Sequence, residues 1–246
     1  MRFLSFPGIA IIFLLLILIK PDAVGQPSTG NLDSHSLFHY YDRMFRADSR
    51  LISGNFYQDL SPKSTEGHPY NGDGEWAGGS VVIRGVEFDS LQLRYDIYTN
   101  ELVINTLNFN NTPLQVALNK LHITSFTLGN RKFIHFPSDD PRKSDRFCEV
   151  LSEGPATLVL MQTKSLIIPA NGNSVFSYDT YSRMYLFLKG KLNVYNGKRT
   201  LVSAFPEYKV LLQNYIRTEK LKFRSGKFDS HARLVNYCNT LLSVKK

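Results

Sequence analysis

The stretch HITSFTLGNRKFIHF, residues 122–136, decides the fold. Two runs rich in β-branched and aromatic residues, His122–Leu128 and Lys132–Phe136, bracket Gly129-Asn130. Each run is too short for a stable helix. The Gly-Asn pair supplies the turn chemistry that brings two antiparallel strands side by side. A hairpin is the reading, and it sets the pattern for what lies on either side.

Upstream, Val81–Ile83 and Val86–Phe88 flank Arg84-Gly85, a tight turn. Leu91–Ile97 alternates apolar and polar residues, and Thr99-Asn100 turns the chain into Leu102-Val103-Ile104. Downstream, Phe147–Leu151 and Ala156–Gln162 flank Glu153-Gly154-Pro155, and Ser182–Leu188 and Leu192–Tyr195 flank Lys189-Gly190-Lys191. Tyr95, Ile97 and Leu102 fall at core positions of this pattern.

The period changes after Gly197. Phe205, Tyr208, Leu211, Leu212, Tyr215 and Ile216 share one helical face, which predicts a helix over Phe205–Thr218. A second, Ser230–Leu242, is striped by Leu234, Val235, Cys238, Leu241 and Leu242, with Asp229 placed to cap it. Near the start, Leu37, Tyr40, Tyr41 and Met44 stripe a short helix over Ser36–Arg46. Hairpins followed by helices indicate an α+β fold: a mainly antiparallel β-sheet body, a short N-terminal helix and two C-terminal amphipathic helices. The chain divides into a signal peptide (1–25), an N-terminal helix and loop (26–79), a β-rich body (80–196) and a basic helical segment (197–246) packed on that body.

The signal peptide is read from Arg2, an apolar run from Ile9 to Ile19, the break at Lys20-Pro21 and small residues at Ala23 and Gly25. Cleavage is expected between Gly25 and Gln26. The apolar run is shorter than the roughly 20 residues a spanning helix needs. No cysteine follows it, so no lipoprotein anchor is expected, and the mature chain is expected to be periplasmic or secreted, not integral to the membrane.

Charge is spread unevenly. Residues 26–182 carry 13 Lys/Arg against 17 Asp/Glu, whereas residues 183–246 carry 14 against 3. A C-terminal positive surface follows, with Lys209, Arg217, Lys220, Lys222, Arg224 and Lys227 as its candidate contacts to an anionic envelope surface or glycan. A purely solvated face is the plainer alternative. Nucleic acid is not an expected partner of an exported protein.

Catalytic and metal signatures are weak. His35 and His39 are spaced i, i+4, but Ser36 stands where a zinc-protease helix has its glutamate. His68 lies in a loop with Asp73 and Glu75, and Asp139-Asp140 precede Pro141-Arg142-Lys143 in a charged loop; both read as solvated connections. Asp96, inside an apolar strand, needs partners: an arginine or backbone donors structurally, or a role as catalytic acid or base. Asn110-Asn111-Thr112 is a formal glycosylation sequon, relevant only in a eukaryotic source. No catalytic, metal or cofactor set emerges, and no cofactor is expected. Cys148 and Cys238 either pair in an oxidising compartment or stay as buried free thiols.

Three segments together, Leu93–Ile97 with Glu101–Ile104, Cys148–Gly154, and Leu201–Tyr215 with Leu234–Tyr237, resemble the uncharacterised exported proteins of Bacteroidota. Those have similar length, a β-rich body, a Leu-x-x-x-Phe-Pro-x-x-Lys segment and a closing aromatic-rich helix. Cysteines at 148 and 238 depart from the aromatics expected there. The resemblance implies export and a bacterial envelope, and carries over no functional residue. The expected function is that of an exported non-enzymatic binding or scaffolding protein; the alternative is a hydrolase acting on envelope polymers.

Overall fold

A computed structural model describes residues 51, 54–107, 110–136, 145–169, 175–224 and 226–244. The chain divides into two units, Met1–Tyr41 and Asp42–Lys246, and every described residue belongs to the second. The predicted signal peptide with its Gly25/Gln26 cleavage site, the helix over Ser36–Arg46, His35, His39 and the Asp139-Asp140 loop lie outside the described residues.

One sheet of twelve strands forms the body. In chain order they are β1 (Asn55–Phe56), β2 (Thr65–Glu66), β3 (Ala77–Ile83), β4 (Val86–Asp96), β5 (Glu101–Leu107), β6 (Pro113–Ala117), β7 (Ile123–Leu128), β8 (Arg131–Phe136), β9 (Arg146–Ser152), β10 (Ala156–Ile167), β11 (Phe176–Leu188) and β12 (Lys191–Val194). The spatial order is β1-β6-β5-β4-β3-β7-β8-β9-β10-β11-β12. Two meanders thus run outward from β3, and the connection from β6 returns through a 3-10 turn at Lys120–His122 to set β7 beside it. Every pairing is antiparallel except the short β2–β11 contact. At tight turns the sequence marks, Arg84 beside Gly85, Asn100, and Lys189 beside Gly190 adopt positive φ.

Phe133, Glu149 and Leu160 are cross-strand partners on one face of the sheet. That face carries the main core, which gathers Val81, Leu93, Tyr95, Ile97, Leu102, Phe126, Phe133 and Phe147. The Tyr95 ring meets Phe126, Phe133 and Phe147 edge-on at 5.4, 5.9 and 5.9 Å, and Phe126 stacks on Phe133 at 4.8 Å. Edge-to-face contacts suit the ring quadrupole, and each adds about 0.5–1.5 kcal/mol to area burial. The sheet is curled: the Lys164 N–H on β10 donates to the Ile97 carbonyl just beyond β4, 3.2 Å away.

Three helices, α1 (Lys198–Ala204), α2 (Lys209–Thr218) and α3 (Asp229–Val244), follow β12. They build a second core with Ala156, Leu158 and Leu186, through Leu201, Phe205, Leu212, Leu234, Val235 and Cys238. Two C-terminal helices were expected, over Phe205–Thr218 and Ser230–Leu242; α1 precedes the first of these and was not expected, and α2 starts only at Lys209. Pro206 disfavours helical geometry at Phe205, whose φ, ψ are −136°, 68°, so the chain breaks between α1 and α2. Asp229 lies within the first turn of α3 rather than ahead of it. The expected helix-and-loop region 26–79 also differs: it contains β1, β2 and the start of β3, and Tyr70 bridges to Asp96.

Candidate functional site

The six predicted contact residues, Lys209, Arg217, Lys220, Lys222, Arg224 and Lys227, are all exposed. The helices reach this arrangement through their burial stripe. Leu212 is buried and Tyr215 and Ile216 pack against the second core, so the rest of α2 turns to solvent. On that outer side Val210, Asn214 and Arg217 fall on one face, three to seven residues apart. Leu221 anchors the segment that follows α2, and Lys220 and Lys222 on either side of it are exposed. No ion pair among the described residues involves any of the six; the one pair within this segment joins Arg233 to Glu219. Lys209 and Arg217 are carried on α2, and Lys220, Lys222, Arg224 and Lys227 on the segment that joins it to α3.

A second constellation surrounds Asp96, which is 2% exposed. Its Oδ1 accepts the N–H groups of Tyr98 and Thr99 at 2.8 and 2.9 Å, and its Oδ2 accepts the Tyr57 hydroxyl at 2.8 Å. The carboxylate therefore anchors the β4–β5 turn, with backbone donors and a tyrosine where an arginine was the other structural option. Tyr57 leads on to Tyr70 (3.3 Å), and Tyr70 donates to Asp59 Oδ2 (3.0 Å). Burial, with the Asp96 and Tyr70 contacts added, holds the Tyr57 hydroxyl far above the usual phenol range. Burial raises the Asp59 carboxyl, but hydrogen bonds from the Ser61 hydroxyl and N–H and from Tyr70, with Arg94 nearby, outweigh it and leave the group below its ordinary value. The Arg94 guanidinium is stacked between Tyr70 and Trp76, 3.7 and 4.3 Å from their ring centres.

His68 belongs to this constellation rather than to a solvated loop. Its ring stacks on Tyr70 at 5.8 Å. Its Nδ1 accepts the Tyr70 N–H at 3.2 Å and lies 3.4 Å from Lys164 Nζ. Burial, and then the Lys164 charge, push its pKa down, so the imidazole is neutral at pH 7. Lys164 Nζ donates to the carbonyls of His68 and Tyr70 at 2.6 and 2.8 Å. Asp59, His68 and Asp96 thus meet around Tyr70, and Asp73 and Glu75 stay exposed outside the group. Sequence reasoning picked out Asp96 and His68 separately but missed Tyr57, Asp59, Tyr70 and Lys164. The alternation of β10 places Lys164 on the core-facing side, which was the available signal for it.

A groove of about 540 Å³ lies at the β7–β8 hairpin, lined by Leu121, His122, Thr124, Ser125, Lys132 and His135 among others. Its histidine and lysine side chains are already engaged. Arg84 Nη2 lies 2.6 Å from His122 Nε2, Lys132 pairs with Glu153 at 2.6 Å, and His135 with Asp145 at 3.4 Å. Among the described residues no three His, Cys, Asp or Glu side chains are placed to hold a metal ion. Cys148 and Cys238 are free and buried, and burial pushes their thiols up to about 12 and about 11. No described helix is long and apolar enough to cross a membrane. No family model, curated protein or solved structure matches the chain.

Proposed function

We propose that this is an exported, non-enzymatic binding or scaffolding protein of a bacterial envelope, cleaved before Gln26, whose C-terminal helical layer holds it to an anionic surface. The observation that carries this reading is the outward, unpaired set of Lys209, Arg217, Lys220, Lys222, Arg224 and Lys227. The β-rich body supports the layer: α3 is tied to the β9–β10 turn, so the cations sit on a fixed platform rather than a loose tail. The test is binding of the mature protein to anionic and neutral vesicles, and to an immobilised acidic polysaccharide, across a salt series. Binding to an anionic probe should fade with salt and drop when all six residues become Gln. Equal retention on anionic and neutral supports, or none at low salt, overturns it.

A second reading, hydrolysis of envelope polymers, has one observation in its favour: Asp59, His68 and Asp96 meet around Tyr70. Turnover of a peptidoglycan or polysaccharide substrate by the wild type, lost in Asp59→Asn, would favour it. No turnover in the wild type would remove it.

A further inference from the structure

The surface that precedes the helices has its own chemistry. Strands β11 and β12 are joined by Lys189 and Gly190, both at positive φ, a two-residue turn that pins the register. Phe187 stands directly across from Leu192, and Tyr185 from Val194. Leu186 lies against the helices through its partner Leu158, so Phe187 and Tyr185 occupy the opposite face, with Tyr181 in line along the strand. Tyr185 is half-buried with its ring 5.5 Å from Phe136, and the rest of that face is open: Tyr181 is 55% exposed, Phe187 48%, Val194 41% and Leu192 36%. Arg183 stays beside it with its guanidinium 5.7 Å from the Tyr185 ring centre, and Lys189 and Lys191 are exposed at the hairpin tip. Between Asp179 and Glu207 the chain holds no acidic residue.

We infer that this outer face of the β11–β12 hairpin inserts into the interface of an anionic phospholipid bilayer. The inference rests on the anionic-surface reading above and names both the surface and a second contact with it. Apolar and aromatic side chains buried at the boundary between headgroups and acyl chains, with lysines beside them reaching back to phosphates, give affinity that neither feature supplies alone. Tyrosine rings suit headgroup depth. Protein–protein interface cores, by contrast, are depleted in lysine. The hairpin also leads into α1 within four residues of Val194, so both contacts belong to one stretch of chain.

The experiment compares wild type, which carries Trp76 alone, with Phe187→Trp on vesicles of anionic phospholipid with brominated acyl chains. The Phe187→Trp protein should show blue-shifted emission quenched by the bromines, beyond any change in wild type. Phe187→Ser with Leu192→Ser should weaken binding to anionic vesicles at least about tenfold, the equivalent of about 1.4 kcal/mol. Salt-sensitive binding without quenching, and unaffected by the serines, leaves the anionic-surface reading standing and overturns insertion. Absence of binding to every anionic probe overturns both. Self-association abolished by the serines while vesicle binding is unchanged assigns the patch to a second copy and also overturns insertion.

Discussion

The side chain of Asn239 acts as a strand partner for Ala156. Its Oδ1 accepts the Ala156 N–H at 2.8 Å and its Nδ2 donates to the Ala156 carbonyl at 2.8 Å, so one amide supplies both bonds that a neighbouring strand would. The same Nδ2 lies 3.2 Å from the Glu153 carbonyl and 3.3 Å from Ser152 Oγ, and Ser152 itself donates to Asn236 one turn earlier on α3. Gly154 completes the fit: a Cβ there would stand 2.7 Å from Asn239 Nδ2, and its φ of 148° already favours glycine. This contact joins α3 to the β9–β10 turn and so fixes the basic layer on the sheet.

Asn239→Ala should therefore lower stability by about 2–3 kcal/mol, because it strands a buried N–H and a buried carbonyl at Ala156. Urea unfolding followed by circular dichroism measures the change. Asn239→Asp should cost at least as much, since its second oxygen would set a buried charge against the Ala156 and Glu153 carbonyls that Nδ2 now satisfies. An unchanged midpoint for Asn239→Ala would show that the turn is held by other contacts.

Lys164→Met should leave the carbonyls of His68 and Tyr70 without their donor while keeping an apolar stem of similar length. The expected loss is about 1–2 kcal/mol, and it should be local. Limited proteolysis should cut between residues 57 and 76 faster in the variant than in wild type. Identical cleavage rates would mean that the Pro69–Asn71 backbone bonds to β4 hold the segment unaided.

These two contacts mark what the sequence makes legible and what it does not. Tyr95, Ile97 and Leu102 are deeply buried, as their alternation indicated, because strand periodicity is a local signal. The hairpins at Arg84-Gly85, Gly129-Asn130, Gly154 and Lys189-Gly190 were readable for the same reason. Pro206 was equally visible, but the apolar stripe from Phe205 onward set the helix start at Phe205, four residues ahead of α2, and left Lys198–Ala204 unread. Asn239 on a helix looks like surface; its work depends on Ala156, 83 residues away. Tyr70 and Lys164 are separated by 94 residues, and nothing near either names the other. β6 hides behind Pro113 and a polar lead-in, its pairing set by β5 rather than by its own pattern. The exposure of Lys209, Arg217, Lys220, Lys222, Arg224 and Lys227 was legible because each falls off the apolar stripes of the helical segment.

Cys148 and Cys238 should be silent toward a thiol reagent in the native state at pH 8. Burial raises both thiols well above that pH and shields them from solvent, so thiolate, the reactive form, is scarce. In denaturant two thiols per chain should react. Rapid native labelling would contradict the burial of one of them, and no labelling after denaturation would reveal a disulfide.

Acid should weaken the helical layer through His231. The ring is buried between Tyr195 and Phe223, 5.5 and 4.8 Å away, and its Nδ1 has no hydrogen-bond partner among the described residues. Burial alone pushes its pKa below the ordinary 6.5. Below pH 6.5 the unfolded chain takes up a proton that the folded chain resists, so unfolding gains protons and stability falls as pH drops; above 6.5 both states are neutral and the effect vanishes. His68 shifts in the same direction and adds to the loss. Glu149 works oppositely: burial raises its carboxyl against the pull of Arg131, so its contribution falls as pH rises from about 4.5. Comparing wild type with His231→Phe cancels both. The variant keeps the aromatic packing with Tyr195 and Phe223 but cannot titrate, so its advantage over wild type should be smallest above pH 7 and grow steadily toward pH 5. Urea midpoints at half-unit steps give the curve. A difference that stays constant across that range would mean His231 is protonated as easily in the folded chain as in the unfolded one.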